Sequence, residues 1–458
     1  MARGAGESGD RAEQKRERLI ALGADSLADI LLSAAEWNED VMNRVERAIA
    51  SPAENTKRFR AKLSGLKRRK GFIHWRQSGG FARELEGLLE DLRSGVEDPK
   101  VGLKLVAAFF EADDTVFHLC DDSAGNIGDV FRHDAANLFV HYASRCEEKD
   151  WLCDMIVKLL RDDGFGVRDS VVRLAAEYLP ESDMRRLVDR FWGLAEETGD
   201  KDRGRHWIYM IEYLARQLRD PALYEKASRA AWPELSTASC IDIAEVYLES
   251  DNARTALAWL ERVPDGETFK ASERDQLLSR VYEQLGEHEK LTEVMWRRFR
   301  SHRSKATFDE LLAVVGEDRR DDVVEESVRA IRDADRVSYS AASFLIDIGC
   351  VDEAEQYLIR RAVELNGELY TSLLPLARAM EADSRGLAAT VCFRALLDSI
   401  LQRGISKYYH HGVRYLRKLD DLAPSILDWQ DVPAHTTYAD GLRQTHGRKS
   451  SFWSRYGA

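Results

Sequence analysis

From about Arg205 onward, turn-forming residues punctuate this chain at nearly regular intervals, at Asp251, Gly286, Gly316, Gly349 and Asp383. The steps are roughly 30 to 35 residues, the length of one helix-turn-helix unit in a repeat array. Before the turns stand Ala244, Tyr247 and Leu248, then Leu278, Tyr282 and Leu285, then Phe344, Leu345 and Ile348. After them stand Ala256, Leu257 and Leu260, then Ala354, Tyr357 and Leu358, then Ala388, Ala389 and Phe393. A small residue where two helices cross, opposed by an aromatic and a leucine, is how tetratricopeptide helix pairs pack. The segments 243–260 and 344–358 fit best and the Gly316 unit fits poorly, so the array is irregular. Such pairs cannot bury their apolar faces alone; stacking on neighbours builds the core and leaves a concave surface.

The rest of the chain agrees with an all-α class. Only 9 prolines interrupt 458 residues, the segments rich in Ala, Leu, Glu and Arg are strong helix formers, and no alternating β-branched run flanked by turns occurs. The expected organisation is an unstructured, charged segment over 1–18, an N-terminal helical region over 19–204, a tetratricopeptide-like array over 205–430, and a basic, aromatic tail over 431–458. In the helical region, Leu27, Ile30, Leu31 and Ala34 mark one face of a helix from Asp25 or Ser26 to Trp37, followed by a helix from Val41 to Ile49. Helical spacing continues at Phe81, Leu85, Leu88, Leu89 and Leu92, and again from Val101 to Phe110, which is expected to run into a polar loop at Asp121. A further helix is expected from Val171 to Leu179, ending at Pro180.

The formal net charge of −13 argues against the whole protein coating nucleic acid or an anionic membrane. No apolar run reaches the ~20 residues of a membrane span, and the N-terminus lacks the apolar core of a secretory signal. A cytoplasmic protein without a membrane role is therefore expected. The six cysteines are scattered, with no C-x-x-C or C-x-C pair and no zinc-ligand spacing. No G-x-S-x-G elbow, H-E-x-x-H helix or phosphate-binding P-loop occurs. The expectation is a non-enzyme without a cofactor.

Three segments carry chemistry-bearing side chains. The loop Asp121-Asp122-Ser123-Ala124-Gly125-Asn126-Ile127-Gly128-Asp129 offers oxygen ligands from Asp121, Asp122, Asn126 and Asp129, of the kind a hard cation prefers. An EF-hand fails, since Gly125 at the sixth position would put Cys120 first and Ala124 fifth. A helix connector, with glycines in the turns and Asp122 or Ser123 as a cap, is the favoured expectation. The second segment, Lys57, Arg58, Arg60, Lys62, Lys67, Arg68, Arg69 and Lys70, holds no acid and is followed by Phe72, His74 and Trp75. Basic charge with aromatics is the composition of a phosphate-tracking, base-stacking surface; the alternative is a solvated helix face. In the tail, Arg443, Arg448 and Lys449 surround Phe452 and Trp453, and the aromatics are expected to dock back and close the end of the array. Adjacent His410 and His411 would point about 100 degrees apart on a helix and so not share a ligand.

Several runs together resemble a known family. They are Pro375 to Arg378, Leu387-Ala388-Ala389, Arg394 to Leu401, Tyr415 to Leu419, Asp428-Trp429 and Leu442 to Trp453, with Phe72 to Arg76 and the Asp121 loop earlier. The resemblance is to a bacterial family of helical proteins of unknown function, related to the helical region that accompanies SWIM zinc fingers. It implies a helical fold and specifies no activity. The C-x-C and C-x-H elements of a SWIM finger are missing, so a zinc role does not carry over, and Ala124 stands where an acid is common in the family's loop.

A helical-repeat scaffold binding a protein partner on its concave surface is the expected function. The alternative is a nucleic-acid-associated accessory protein using 57–75 and 442–456.

Overall fold

The structure, a computed structural model, describes residues 13–264 and 266–457. The fold is all-α, and no strand forms among the described residues; an isolated parallel bridge pairs Ile73 with Cys120. Helices pack chiefly on their sequence neighbours, as in an irregular α-solenoid of helical hairpins. Two compact units divide the chain, Met1–Asn252 and Ala253–Ala458, so the helices Lys201–Gln217, Pro221–Ala231 and Thr237–Glu249 belong to the first.

In the first unit, helix starts follow local chemistry. Ser51 and Glu54 form a capping box ahead of Pro52, and Asp98 and Asp220 cap helices that begin at Pro99 and Pro221. Proline suits the first helical position because its missing N–H has no partner there anyway. The core gathers around Phe109, Phe110, Phe131, Phe139 and Tyr142, all closed to solvent. Gly102 is required beside it: a Cβ there would lie 2.5 Å from the Tyr142 ring, whose hydroxyl donates to the Val96 carbonyl at 3.0 Å.

Several expectations for this unit change. Residues 13–20 are helical, in keeping with the helix formers Glu13, Gln14, Lys15 and Leu19; the remainder of the 1–18 segment, 1–12, lies outside the described residues. The helix from Val101 does not reach the Asp121 loop, because it ends at Phe110 and a second helix, Asp113–Leu119, intervenes. The Val171 to Leu179 helix is instead a short turn, Ser170–Arg173, followed by the 3-10 turn Ala175–Glu177. Beyond the loop, a π-helical segment, Val130–Ala135, brings Phe131 to 4.9 Å from Phe109.

The periodic turns are built alike. Asp251, Gly286, Gly349 and Ser384, next to Asp383, have positive φ. After each, the next N–H bonds back to the end of the preceding helix: Asn252 to Tyr247, Glu287 to Tyr282, Cys350 to Leu345 and Arg385 to Met380, at 2.7 to 2.9 Å. This closure satisfies helix-end carbonyls and reverses the chain. Arg219 and Asp220 use it too. At Gly316 a 3-10 turn, Glu317–Arg319, is inserted instead, which is why that unit breaks the pattern. The second unit's core runs from Leu291 to Phe452. No described helix is long and apolar enough to cross a membrane.

Candidate functional site

The Asp121 loop is held from within. Asp121 Oδ1 accepts from the Ser123 N–H at 3.1 Å and from its hydroxyl, which lowers the Asp121 pKa. Asp122 Oδ1 accepts from Ile127 N at 2.8 Å and Oδ2 from Gly128 N at 2.9 Å, capping the turn Asn126–Asp129. Gly125 takes the left-handed conformation that the reversal needs. The Asn126 amide donates to Ser78 Oγ at 2.8 Å, while Asp129 stays exposed. These bonds are those of a helix connector. Among the described residues no three His, Cys, Asp or Glu side chains group as metal ligands.

The basic segment splits into two populations. Phe59, Leu63 and Leu66 bury one face of the helix Pro52–Leu66. Lys62 Nζ reaches Asp91 Oδ2 at 2.8 Å, and Arg47 Nε takes Asp91 Oδ1 at 2.9 Å; Asp91 itself is closed to solvent. Arg58 pairs with Glu46 at 3.3 Å, Arg69 with Glu84 at 2.8 Å, and Arg69 also lies over the Phe81 ring. Arg68 donates to the Ser64 carbonyl. Lys57, Arg60, Lys67 and Lys70 are exposed and make no ion pair among the described residues. Phe72 is 69% exposed and Trp75 46%, with Arg76 over the Trp75 ring at 5.1 Å.

The tail folds back on the helix Tyr409–Leu422. Phe452 is fully buried, 5.7 Å edge-on from Tyr409. Tyr456 donates to Asp420 Oδ2 at 2.7 Å, and Arg417 donates to the Arg455 and Tyr456 carbonyls at 3.3 Å. Trp453 donates to the His446 carbonyl at 2.9 Å and lies under Arg443. Arg443 and Arg448 are exposed, and Lys449 is half-buried. The tail therefore lies in the second unit and segment 57–70 in the first. The His410 and His411 rings do not diverge: their centroids are 3.9 Å apart. Each Nδ1 is engaged locally, with the Lys407 carbonyl and with Arg414.

A family model, described as a family of unknown function (DUF6880), matches residues 13–233 and 222–455. The chain belongs to this family. No curated protein matches. Among solved structures, one described as a "Circular tandem repeat protein with novel repeat topology and enhanced subunit contact surfaces" is similar at 16% identity, covering 93% of this chain and 96% of its own, with a TM-score of 0.14.

Two polar clusters in this DUF6880 member escape any motif. Asp169 Oδ1 and His206 Nε2 lie 3.9 Å apart, both buried without a hydrogen-bond partner. In the second unit, Arg394 and Asp398 from the helix Gly386–Arg403 meet Trp429, Pro433 and Tyr438. The partners in both clusters are more than 30 residues apart in sequence, so no local spacing marks them. The signal present was the run Arg394 to Leu401, where a charged pair interrupts an apolar face.

Proposed function

We propose that this chain is a non-enzymatic, cytoplasmic helical-repeat adaptor that binds a protein partner. The observation that carries the proposal is at the N-terminal hairpin. The helix Ala24–Trp37 forms where the periodicity places it, yet Ala35 alone of its residues is buried. Ile30, Leu31 and Leu32 are each at least half exposed, Trp37 is 86% exposed, and Ile49 on the following helix is 80% exposed. Large apolar side chains left exposed together on one hairpin favour protein contacts, and an apolar helix of a partner is the occupant that suits them.

The test is affinity capture with the full chain and with an Ile30→Asp/Leu31→Asp variant whose helicity is checked by circular dichroism. Partners captured by the wild type are expected to be lost from the variant. An identical set from both, or none from the wild type, refutes the assignment. Sedimentation of the purified chain separates a second copy of itself from a different partner.

A second function has its own support, the exposed Phe72 and Trp75 beside unpaired Lys67 and Lys70. It is single-stranded nucleic-acid binding, by stacking on the aromatics and charge pairing with the lysines. Fluorescence anisotropy of a labelled oligonucleotide should then show affinity falling steeply with salt. Salt-independent or absent binding removes it.

A further inference from the structure

Arg394 is 6% exposed, and its guanidinium is fixed on three sides. Nη1 donates to the Pro433 carbonyl at 2.7 Å, and the group lies 4.3 Å from the Tyr438 ring centre and 5.2 Å from that of Trp429. The remaining edge, Nε and Nη2, has no acceptor at all. That edge is the fork which grips two oxygens of one anion side by side. In the first unit the same edge of Arg168 is filled by Asp113, at 2.8 and 2.7 Å. The Arg394 fork has no such partner, and a buried unpaired donor is costly.

The neighbouring acid does not supply one. Asp398, one turn along the helix, uses Oδ1 to accept from the Tyr438 hydroxyl at 2.7 Å, and burial raises its pKa. Ser399 Oγ is also buried without a partner. Both Arg394 and Ser399 line a cleft of about 580 Å³, whose apolar wall includes Val391, Val432 and Pro433 and whose rim carries Gln402 and Arg403. A cleft of this size suits a small molecule. One side is packed tightly, because a Cβ on Gly367 would lie 2.0 Å from the Ala395 carbonyl oxygen.

We propose that this cleft binds a small molecule bearing an oxyanion, a phosphate or a carboxylate, which docks side-on to the Nε–Nη2 edge of Arg394 and bonds to Ser399 Oγ. The two nitrogens are shielded from water, so docking there requires a local displacement of the cleft wall, and the bond would then form where solvent competes least. Arginine is specified over lysine because only the planar fork offers two parallel donors. The site is independent of the N-terminal hairpin, so the adaptor proposal and this one fail separately.

The experiment is calorimetric titration of the full chain with inorganic phosphate and, separately, with succinate, at ionic strength held constant with chloride. Saturable binding of at least one probe is expected, weakened at least tenfold in Arg394→Lys. Phosphate alone, or succinate alone, identifies the oxyanion class. Ser399→Val, which loses a hydroxyl that has no partner in the fold, is the second variant should the buried lysine unfold the chain; it is expected to bind severalfold more weakly. No saturable binding of either probe overturns the proposal, as does wild-type affinity in a folded Arg394→Lys or, where that variant unfolds, in Ser399→Val.

Discussion

Arg168 and Asp113 meet edge to edge inside the first unit, with side chains 5% and 1% exposed. The third arm of the guanidinium is used as well, donating from Nη1 to the Leu159 carbonyl at 3.0 Å. Removing one partner of such a pair strands the other's charge, whereas removing both does not. Asp113→Ala is therefore expected to lower stability by about 3–5 kcal/mol, measured by urea unfolding. The double variant Asp113→Ala/Arg168→Met should be the more stable of the two; if it is not, the stranded charge is not the cause.

Lys62 and its neighbours in the basic segment separate by experiment. Lys62→Met removes a charge-assisted bond to buried Asp91 and should cost about 1–3 kcal/mol without changing oligonucleotide affinity. Lys67→Ala/Lys70→Ala should do the reverse, since both side chains are exposed. Melting temperature and anisotropy titrations on the same preparations decide between these outcomes.

Burial pushes the Asp169 carboxyl up to about 7, helped by Asp163 and opposed by Arg173. The folded chain thus keeps a proton that the unfolded chain releases near pH ~4. The stability this contributes is complete below that pH and is lost as pH rises through about 7. His206, whose pKa burial lowers, acts in the opposite sense and stays in both proteins compared. Asp169→Asn should become progressively more stable relative to the wild type as pH rises from about 4 to about 7 and level off above, the window between the unfolded and folded titrations. A difference in melting temperature that is flat across the series would contradict this.

Phe452 fills the space beside Gly412, where a Cβ would lie 3.1 Å from its ring. Phe452→Ala should cost about 3–5 kcal/mol through the cavity it leaves. Deleting 442–458 should lower solubility too, by uncovering Tyr409 and Leu442's neighbours on the second core. An unchanged unfolding curve for the point variant would remove the tail's capping role.

Much of the local architecture was legible in the chain. The turns at Asp251, Gly286 and Gly349 fall on residues with positive φ, and Asp122 caps the turn that follows it. These depend on bonds spanning few residues, which sequence spacing encodes directly. The loop's candidate ligands were legible as residue types only: the backbone takes both Asp122 oxygens, and Asn126 turns to Ser78. The apolar face at Ile30 and Leu31 was visible, but its exposure was not, because a helix's period states which side is apolar and not whether anything covers it.

By itself the sequence determined that this chain is helical and where several of its hairpins turn, since propensity and left-handed turns act within a few residues. Tertiary structure alone decided which charges are matched. It filled the fork of Arg168 with Asp113, drew Lys62 to Asp91, and set Arg394 against Trp429 and Tyr438 with its fork buried and unpaired. The physical reason is distance along the chain: these partners lie on separate segments 29 or more residues apart, and only packing brings them together and removes the water that would otherwise satisfy them.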